Sequence, residues 1–555
     1  MLRKVLLNNI FMAFFFVILG GIVCGYTRFE NSWDFANYHF YNAFSFLNNR
    51  YEKDIAVAYI HSFFNPLIEV PLYLYIKYFN DYPYIVSGLQ GIWYGLLLFA
   101  FSKFSQIFFP LSEKKNVLPY LLTILISATG TAVYFQAGTS CNEHPIAILI
   151  FFSIYFLFKQ IYDKNTQKAK IFLLIGIIMG MALGLKPTVV YLCISAGLSV
   201  ILCYNKLKRP VLYIFLFALG GILGYLITNG WWMYKMYDLY QNPFFPFANK
   251  IFKSPYYAVS NFSDRRFIPE IDKMIIYPYL WMFTRIRPTE TIFSDLRAPV
   301  YYTMGIVGTI WYIFKHHTIN ITQQEKNLWS FYIVFIVLSY ILWMLIFSIH
   351  RYLVVIEMMC SIAFVKILFS LKYKKEITKI LHLTISNIII GIFILNVQTG
   401  QPWPFGHKED KFIYIENIKI PSNTLIKLYN LPTAGVLPMI WQNNENDFLS
   451  ISKLGYEYFG TEANLTAFGK FKELNDEIEK KHIGPEILIV RAYGDFMKLY
   501  KYGIDDDIMH VHEDLQMEFK DKYCRQLRTN IYKNLYICVP KELKDEILVD
   551  GGNDE

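Results

Sequence analysis

The chain has 555 residues, 54% of them hydrophobic and only 17% charged. That balance excludes an ordinary soluble protein of this length, and aromatics at 18% add the residue types that collect in and beside membranes. The formal charge of +9 is read as basic residues of cytoplasmic loops, with no nucleic-acid partner, because no basic stripe is interleaved with base-stacking aromatics.

The first apolar run, 5–26, follows Met1-Leu2-Arg3-Lys4 and leads to no small-x-small cleavage site, so it is expected to be an uncleaved membrane helix. Directly after it stands Trp33-Asp34-Phe35-Ala36-Asn37-Tyr38-His39-Phe40-Tyr41-Asn42. Asp34 at a helix mouth is either an N-cap for the apolar run that follows or a catalytic carboxylate, and the residue pattern leaves both open. The remainder of this first large outer segment, 27–82, holds two amphipathic pieces, 35–49 and 64–79. Both are expected to lie in the membrane interface, with a short re-entrant helix as the alternative for the second.

Further runs of membrane-crossing length lie at 83–103, 117–135, 145–162, 170–185, 187–204, 211–230, 299–315, 328–349, 352–371 and 378–397, about eleven spans in all. With a cytoplasmic N-terminus, the inner connections carry Lys103, Lys114, Lys115, Lys159, Lys164, Lys168, Lys206, Lys208, Arg209, Lys315, Lys326 and Lys372. The short outer connections carry only Lys186 and Arg351, which sets the orientation.

Four features of the outer side carry polar chemistry. Glu143 and His144, in Gly138-Thr139-Ser140-Cys141-Asn142-Glu143-His144-Pro145, stand at a helix start where Pro145 fits the first turn. The bland role for Glu143 is dipole complementation, but Asp34 and Glu143 each lie near a histidine. Together they can share a divalent cation such as Mg or Mn, or act as general base and orienting group. Lys186 interrupts an apolar stretch, and Arg351 sits at an outer turn. The second large outer segment, 231–298, contains Arg265, Arg266, Arg285, Arg287 and Arg297. These cations either bind a lipid carrier's phosphate or pair with Asp264, Glu290 and Asp295.

From about 400 the composition becomes that of a soluble domain, with strand patterns at 486–490 and 534–539 and a helix-like run at 470–481. A small α/β domain on the outer face is expected. Cys524 and Cys538 flank a turn centred on 530–532, so they either form a disulfide or remain two buried thiols. Among the other cysteines, Cys24, Cys193, Cys203 and Cys360 lie in or beside apolar runs, and no CxxC pair is present.

The stretch Trp33-Asp34 to Tyr41-Asn42 resembles the first loop of the GT-C superfamily of integral-membrane glycosyltransferases, in particular its bacterial members. So do Phe64-Asn65-Pro66-Leu67, Asn242-Pro243-Phe244-Phe245-Pro246-Phe247, Ser254-Pro255-Tyr256-Tyr257 and Asp264-Arg265-Arg266-Phe267. The resemblance covers about residues 1–400. It implies an α-helical polytopic protein of the plasma (inner) membrane, with a GT-C-like domain over 1–399 and an extracytoplasmic α/β domain over 400–555. It also implies transfer of a sugar from a polyprenyl-phosphate donor to a lipid, glycan or protein acceptor. Asp34 would be the base and Glu143 the second acid, with Asn37, His39, His144, Lys186, Arg265, Arg266 and Arg351 binding substrate. The first loop has no Asp-x-Asp pair, only Asp34 with Asp54 and Glu69 further on, so a metal requirement stays open. The competing readings are a lipid-linked sugar transporter or flippase and a polysaccharide polymerase of another architecture. Polar residues gathered at outer helix ends favour surface chemistry over transport.

Overall fold

The computed structural model describes residues 6, 8–27, 30, 32–259, 265–282, 292–315, 322–370, 398–400, 410–430, 432–444, 446–453, 469–491, 519 and 521–548. The chain is mostly helical and divides into two compact units. A helical unit takes Met1–Arg28, Ser87–Gly230 and Asp264–Phe405, and a sheet unit takes Phe29–Val86, Trp231–Ser263 and Gly406–Glu555. This division differs from the expected single cut between 399 and 400. Much of the two large outer segments belongs with the C-terminal residues.

In the helical unit, six helices among the described residues are long and apolar enough to cross a membrane. They are Asn9–Thr27, Pro83–Ser105, Glu143–Tyr162, Pro210–Tyr240, Gln323–Ile346 and His350–Phe369. Ala169–Leu185 and Pro187–Leu202 are shorter apolar helices separated at Lys186. Arg297–Lys315 is a helix of 19 residues outside the six, and the expected span at 378–397 lies outside the described residues. Glycines let helices approach until backbones touch. A Cβ on Gly95 would collide with the Phe16 carbonyl, and one on Gly224 with that of Ile177.

The expected span 117–135 is broken. Val117–Ala128 stops at Thr129 and Gly130, and a short helix, Thr131–Tyr134, begins anew. The cause is Glu357, whose carboxylate accepts from the Thr131 and Ala132 amides at 2.8 Å each. A helix start needs such acceptors, and Gly130 leaves the room, because a Cβ there would meet the carboxyl carbon at 2.7 Å.

The sheet unit is built on six strands: β1 (Asp54–Ile55), β2 (Thr424–Tyr429), β3 (Phe448–Lys453), β4 (Glu486–Arg491), β5 (Lys522–Gln526) and β6 (Leu535–Pro540). Their order is β1-β3-β2-β4-β6-β5. The first four run parallel, and β6 is antiparallel to both β4 and β5. Parallel strands need both faces covered, and β2 is buried at all six positions. One cover comes from the first large segment. Its helices Phe40–Leu47 and Val70–Phe79 bury Phe40, Phe44, Tyr73 and Ile76 in the cluster that contains Ile426, Leu428, Ile487 and Ile489. The expectation that these amphipathic faces rest in the membrane interface is therefore corrected: protein covers them.

β1 comes from the same segment, and one buried group fixes it there. Arg50 donates to both Asp54 carboxylate oxygens at 2.8 and 2.7 Å, to Asp447 at 2.6 Å and to the Phe448 carbonyl at 2.7 Å. Its guanidinium lies over the Phe448 and Trp441 rings.

Cys524 and Cys538 face each other in the register of β5 and β6, with Cα atoms 4.1 Å apart, and form a disulfide. Closing a loop of this size stabilises by about 3 kcal/mol in the chain-entropy account. Replacing both cysteines by serine should lower the sheet unit's stability by about that amount. Denaturant unfolding followed by tryptophan fluorescence checks it, and an unchanged midpoint would show the bond to be idle.

Candidate functional site

Because β1 to β4 run parallel, their C-terminal ends share one edge, which is where open α/β sheets bind ligands. The stretch that begins at Trp33 is fastened along that edge. Asn37 Nδ2 donates to the Ala58 carbonyl just beyond β1 at 3.3 Å. The Tyr532 hydroxyl donates to the Ala36 carbonyl, and Gly435, beyond β2, leaves room for the same carbonyl, which a Cβ there would meet at 2.5 Å. Asn37 is fully buried, so its observed work is to hold the backbone.

The helix here is irregular. Phe35–His39 forms one π-helical turn before the α-helix Phe40–Leu47. Asp34 has helical backbone angles (φ −61°, ψ −44°), and its side chain makes no capping hydrogen bond, so the N-cap role is not the one it plays. It is half-buried, whereas Phe35 to His39 are buried. A π turn hydrogen-bonds i to i+5, one residue wider than an α-helix.

His39 Nδ1 lies 2.8 Å from Glu69 Oε1, with both side chains buried. The Tyr38 ring lies against that of His39, with centroids 4.2 Å apart, and leads into an aromatic cluster. Tyr38 stacks on His61 with centroids 4.7 Å apart, Trp33 meets the His61 ring edge-on at 5.4 Å, and Phe64 stacks on Phe247 at 6.0 Å. Asn42 Nδ2 donates to the His61 carbonyl at 2.8 Å. The sequence segments at 33–42, 64–67 and 242–247 thus converge within the sheet unit.

The other expected residues lie in the helical unit. Lys186 Nζ donates to the Glu143 carboxylate and to the Cys141 carbonyl. Glu143 is thereby the counter-ion of Lys186, and its Oε2 is buried with no hydrogen-bond partner among the described residues. Arg351 Nη1 lies 3.8 Å from Cys141 Sγ, and Gln136 Nε2 donates to the Arg351 carbonyl at 2.8 Å. Lys186, Glu143 and Arg351 therefore meet around the loop at Cys141. His144 is buried, stacks on Tyr94 and has Nε2 2.9 Å from the Val133 carbonyl, a packing role. Arg265 and Arg266 are exposed.

Compared with protein-family models, curated proteins and solved structures, the chain gives no significant match.

The carboxylates do not form a metal-binding set. Asp54 is committed to Arg50, Glu69 to His39 and Glu143 to Lys186, and among the described residues no group of three His, Cys, Asp or Glu side chains is placed to hold an ion. Arg297 follows the bland expectation by pairing with Asp295 at 3.3 Å, and Asp295 also takes the Thr131 hydroxyl. Arg285, Arg287, Asp264 and Glu290 lie outside the described residues. Sequence reasoning gave Glu69, His61 and Glu357 no role. A partner for a buried His39 was the one available signal for Glu69.

Proposed function

We propose that the protein is a membrane glycosyltransferase, moving a sugar from a polyprenyl-phosphate donor to a lipid, glycan or protein acceptor on the outer face of a plasma membrane. The observation that carries the reading is Asp34: a half-buried carboxylate that does not cap its helix, in a stretch whose backbone is fastened at Ala36 and Asn37 beyond the C-terminal ends of β1 and β2. In this role it draws on the acceptor hydroxyl or amine as that group attacks the anomeric carbon. Within the helical unit, Lys186 and Arg351, which meet around the Cys141 loop, are the cations suited to holding a lipid carrier's phosphate. A phosphate would then compete with Glu143 for Lys186, which makes Glu143 a counter-ion that yields to substrate. Asp34 and Lys186 lie on the outer side in the eleven-span topology with a cytoplasmic N-terminus. The disulfide supports an oxidising compartment for the sheet unit.

A transport reading draws on a different observation, the helix broken at Thr129–Gly130 beside half-buried Glu357 and buried Asp295 and Arg297. A lipid and glycan comparison of cells with and without the gene separates the two. Transfer predicts a glycoconjugate lacking one sugar, whereas accumulation of the sugar-loaded carrier in one leaflet, with the glycoconjugate unchanged, would point to transport.

A further inference from the structure

We propose that residues 271–282, in the second large segment, form an interfacial anchor whose apolar face lies in the bilayer at the boundary between headgroups and acyl chains. The proposal does not depend on the sugar-transfer reading.

The segment is short and two-faced. It opens with a 3₁₀ turn, Ile271–Lys273, and closes with one α-helical turn, Tyr277–Leu280. The Met274 amide donates to the Ile271 carbonyl, that of Tyr279 to Ile276 and that of Met282 to Tyr279, which carries the winding through. One face packs into the helical unit, with Tyr277, Pro278 and Trp281 buried. The Tyr277 and Trp281 rings lie 6.4 and 5.9 Å from that of Trp343, and Trp281 meets His350 edge-on at 5.1 Å.

These partners fix the depth of the segment. Trp343 stands in the last turn of Gln323–Ile346 and His350 opens His350–Phe369, both long and apolar enough to cross a membrane. The segment is thus fastened where two such helices end, at the level where hydrocarbon gives way to headgroups. Tyr and Trp, the ring types that collect at that level, make the attachment.

The other face is apolar and open. Ile271 is 85% exposed and Ile275 72%, and Ile276, Tyr279 and Met282 are exposed as well. An exposed patch of this kind marks a surface made for a partner. Its continuation names the partner as lipid. The Tyr279 hydroxyl lies 2.8 Å from Thr303 Oγ1, on the helix Arg297–Lys315. Thr303, Ile306, Val307 and Ile310 share one face of that helix by their spacing, and all three apolar members are exposed. Ile341 and Leu345, near the end of Gln323–Ile346, are exposed too. The patch therefore runs on into the stripes that face acyl chains. Glu270, Asp272 and Lys273, exposed at the start of the segment, supply its polar side. A segment so divided settles with its apolar face about 5–10 Å into the boundary.

The test uses Ile271→Cys and Ile275→Cys, made separately in the full chain. Both positions are exposed, so the packed face is left intact. Each new thiol is labelled with a bimane fluorophore, and the labelled, unmutated protein gives the background from its own cysteines. The proteins are placed in phosphatidylcholine vesicles with or without bromine on the acyl carbons nearest the headgroup. Emission should be lost in the brominated vesicles at both positions. Emission that survives brominated lipid at either position would overturn the proposal. Iodide added to the water then shows what covers the face instead: quenching by iodide means water, and none means a protein surface.

Discussion

Asp34→Asn should lower sugar transfer by about 100-fold to 10,000-fold and leave the protein folded in the membrane, because a positioned carboxylate acting on a proton in flight contributes a factor of that order. Asparagine has the same shape and cannot take charge. Asp34 makes no capping hydrogen bond, so its amide costs the helix little. A structural residue would behave in the opposite way, losing stability and activity in parallel. Transfer measured per molecule of detergent-purified protein, next to a thermal melt, separates the cases. Near-normal transfer would remove Asp34 from the chemistry.

The second large effect is expected at Arg50, which ties adjacent β1 to β3, a strand far away in sequence. Its side chain and that of Asp54 are wholly inaccessible, and it donates to Asp54, Asp447 and the Phe448 carbonyl. Removing one member of a buried ion pair strands the other, at a cost of about 3–5 kcal/mol. Against total stabilities of about 5–15 kcal/mol, Arg50→Ala should release β1 and expose the first large segment to protease. A proteolysis pattern and melting temperature like those of the unmutated chain would contradict this. The network should also weaken in acid. Burial pushes Asp447 up, but hydrogen bonds from Lys53 and Arg50 outweigh it and hold the carboxyl below its ordinary range. Its contribution is therefore present above about pH 3.9 and is lost as the pH falls through the lower folded value.

The apolar runs were legible because length and composition alone decide whether a helix can cross a bilayer. Six of the expected spans have that length and apolarity in the structure, and the separation at Lys186-Pro187 falls where the sequence interrupts its apolar run. The break at Gly130 was not legible, since it depends on Glu357, more than two hundred residues away along the chain. Nor was β1, because a two-residue strand has no periodicity to read and its parallel partner lies near residue 450. For the same reason the amphipathic faces of the first segment could not be told from interfacial helices. Apolar periodicity shows that a face is buried and leaves its cover unnamed. The candidate site was read in halves. Asp34, Glu143 and Lys186 stood out as charges at helix ends or in apolar surroundings, whereas Glu69 acquires its place only through His39, which folds against it.

In the proposed reaction the chain transfers a sugar from a polyprenyl-phosphate donor and Asp34 acts in that step. The most direct measurement incubates the purified protein, in lipid vesicles, with polyprenyl-phosphate sugars carrying a radiolabel in the sugar, and follows the label. Label should leave the carrier in the presence of an acceptor extract with the unmutated protein, and stay on the carrier with Asp34→Asn. Label that crosses the bilayer still attached to its carrier, equally with both proteins, would contradict it.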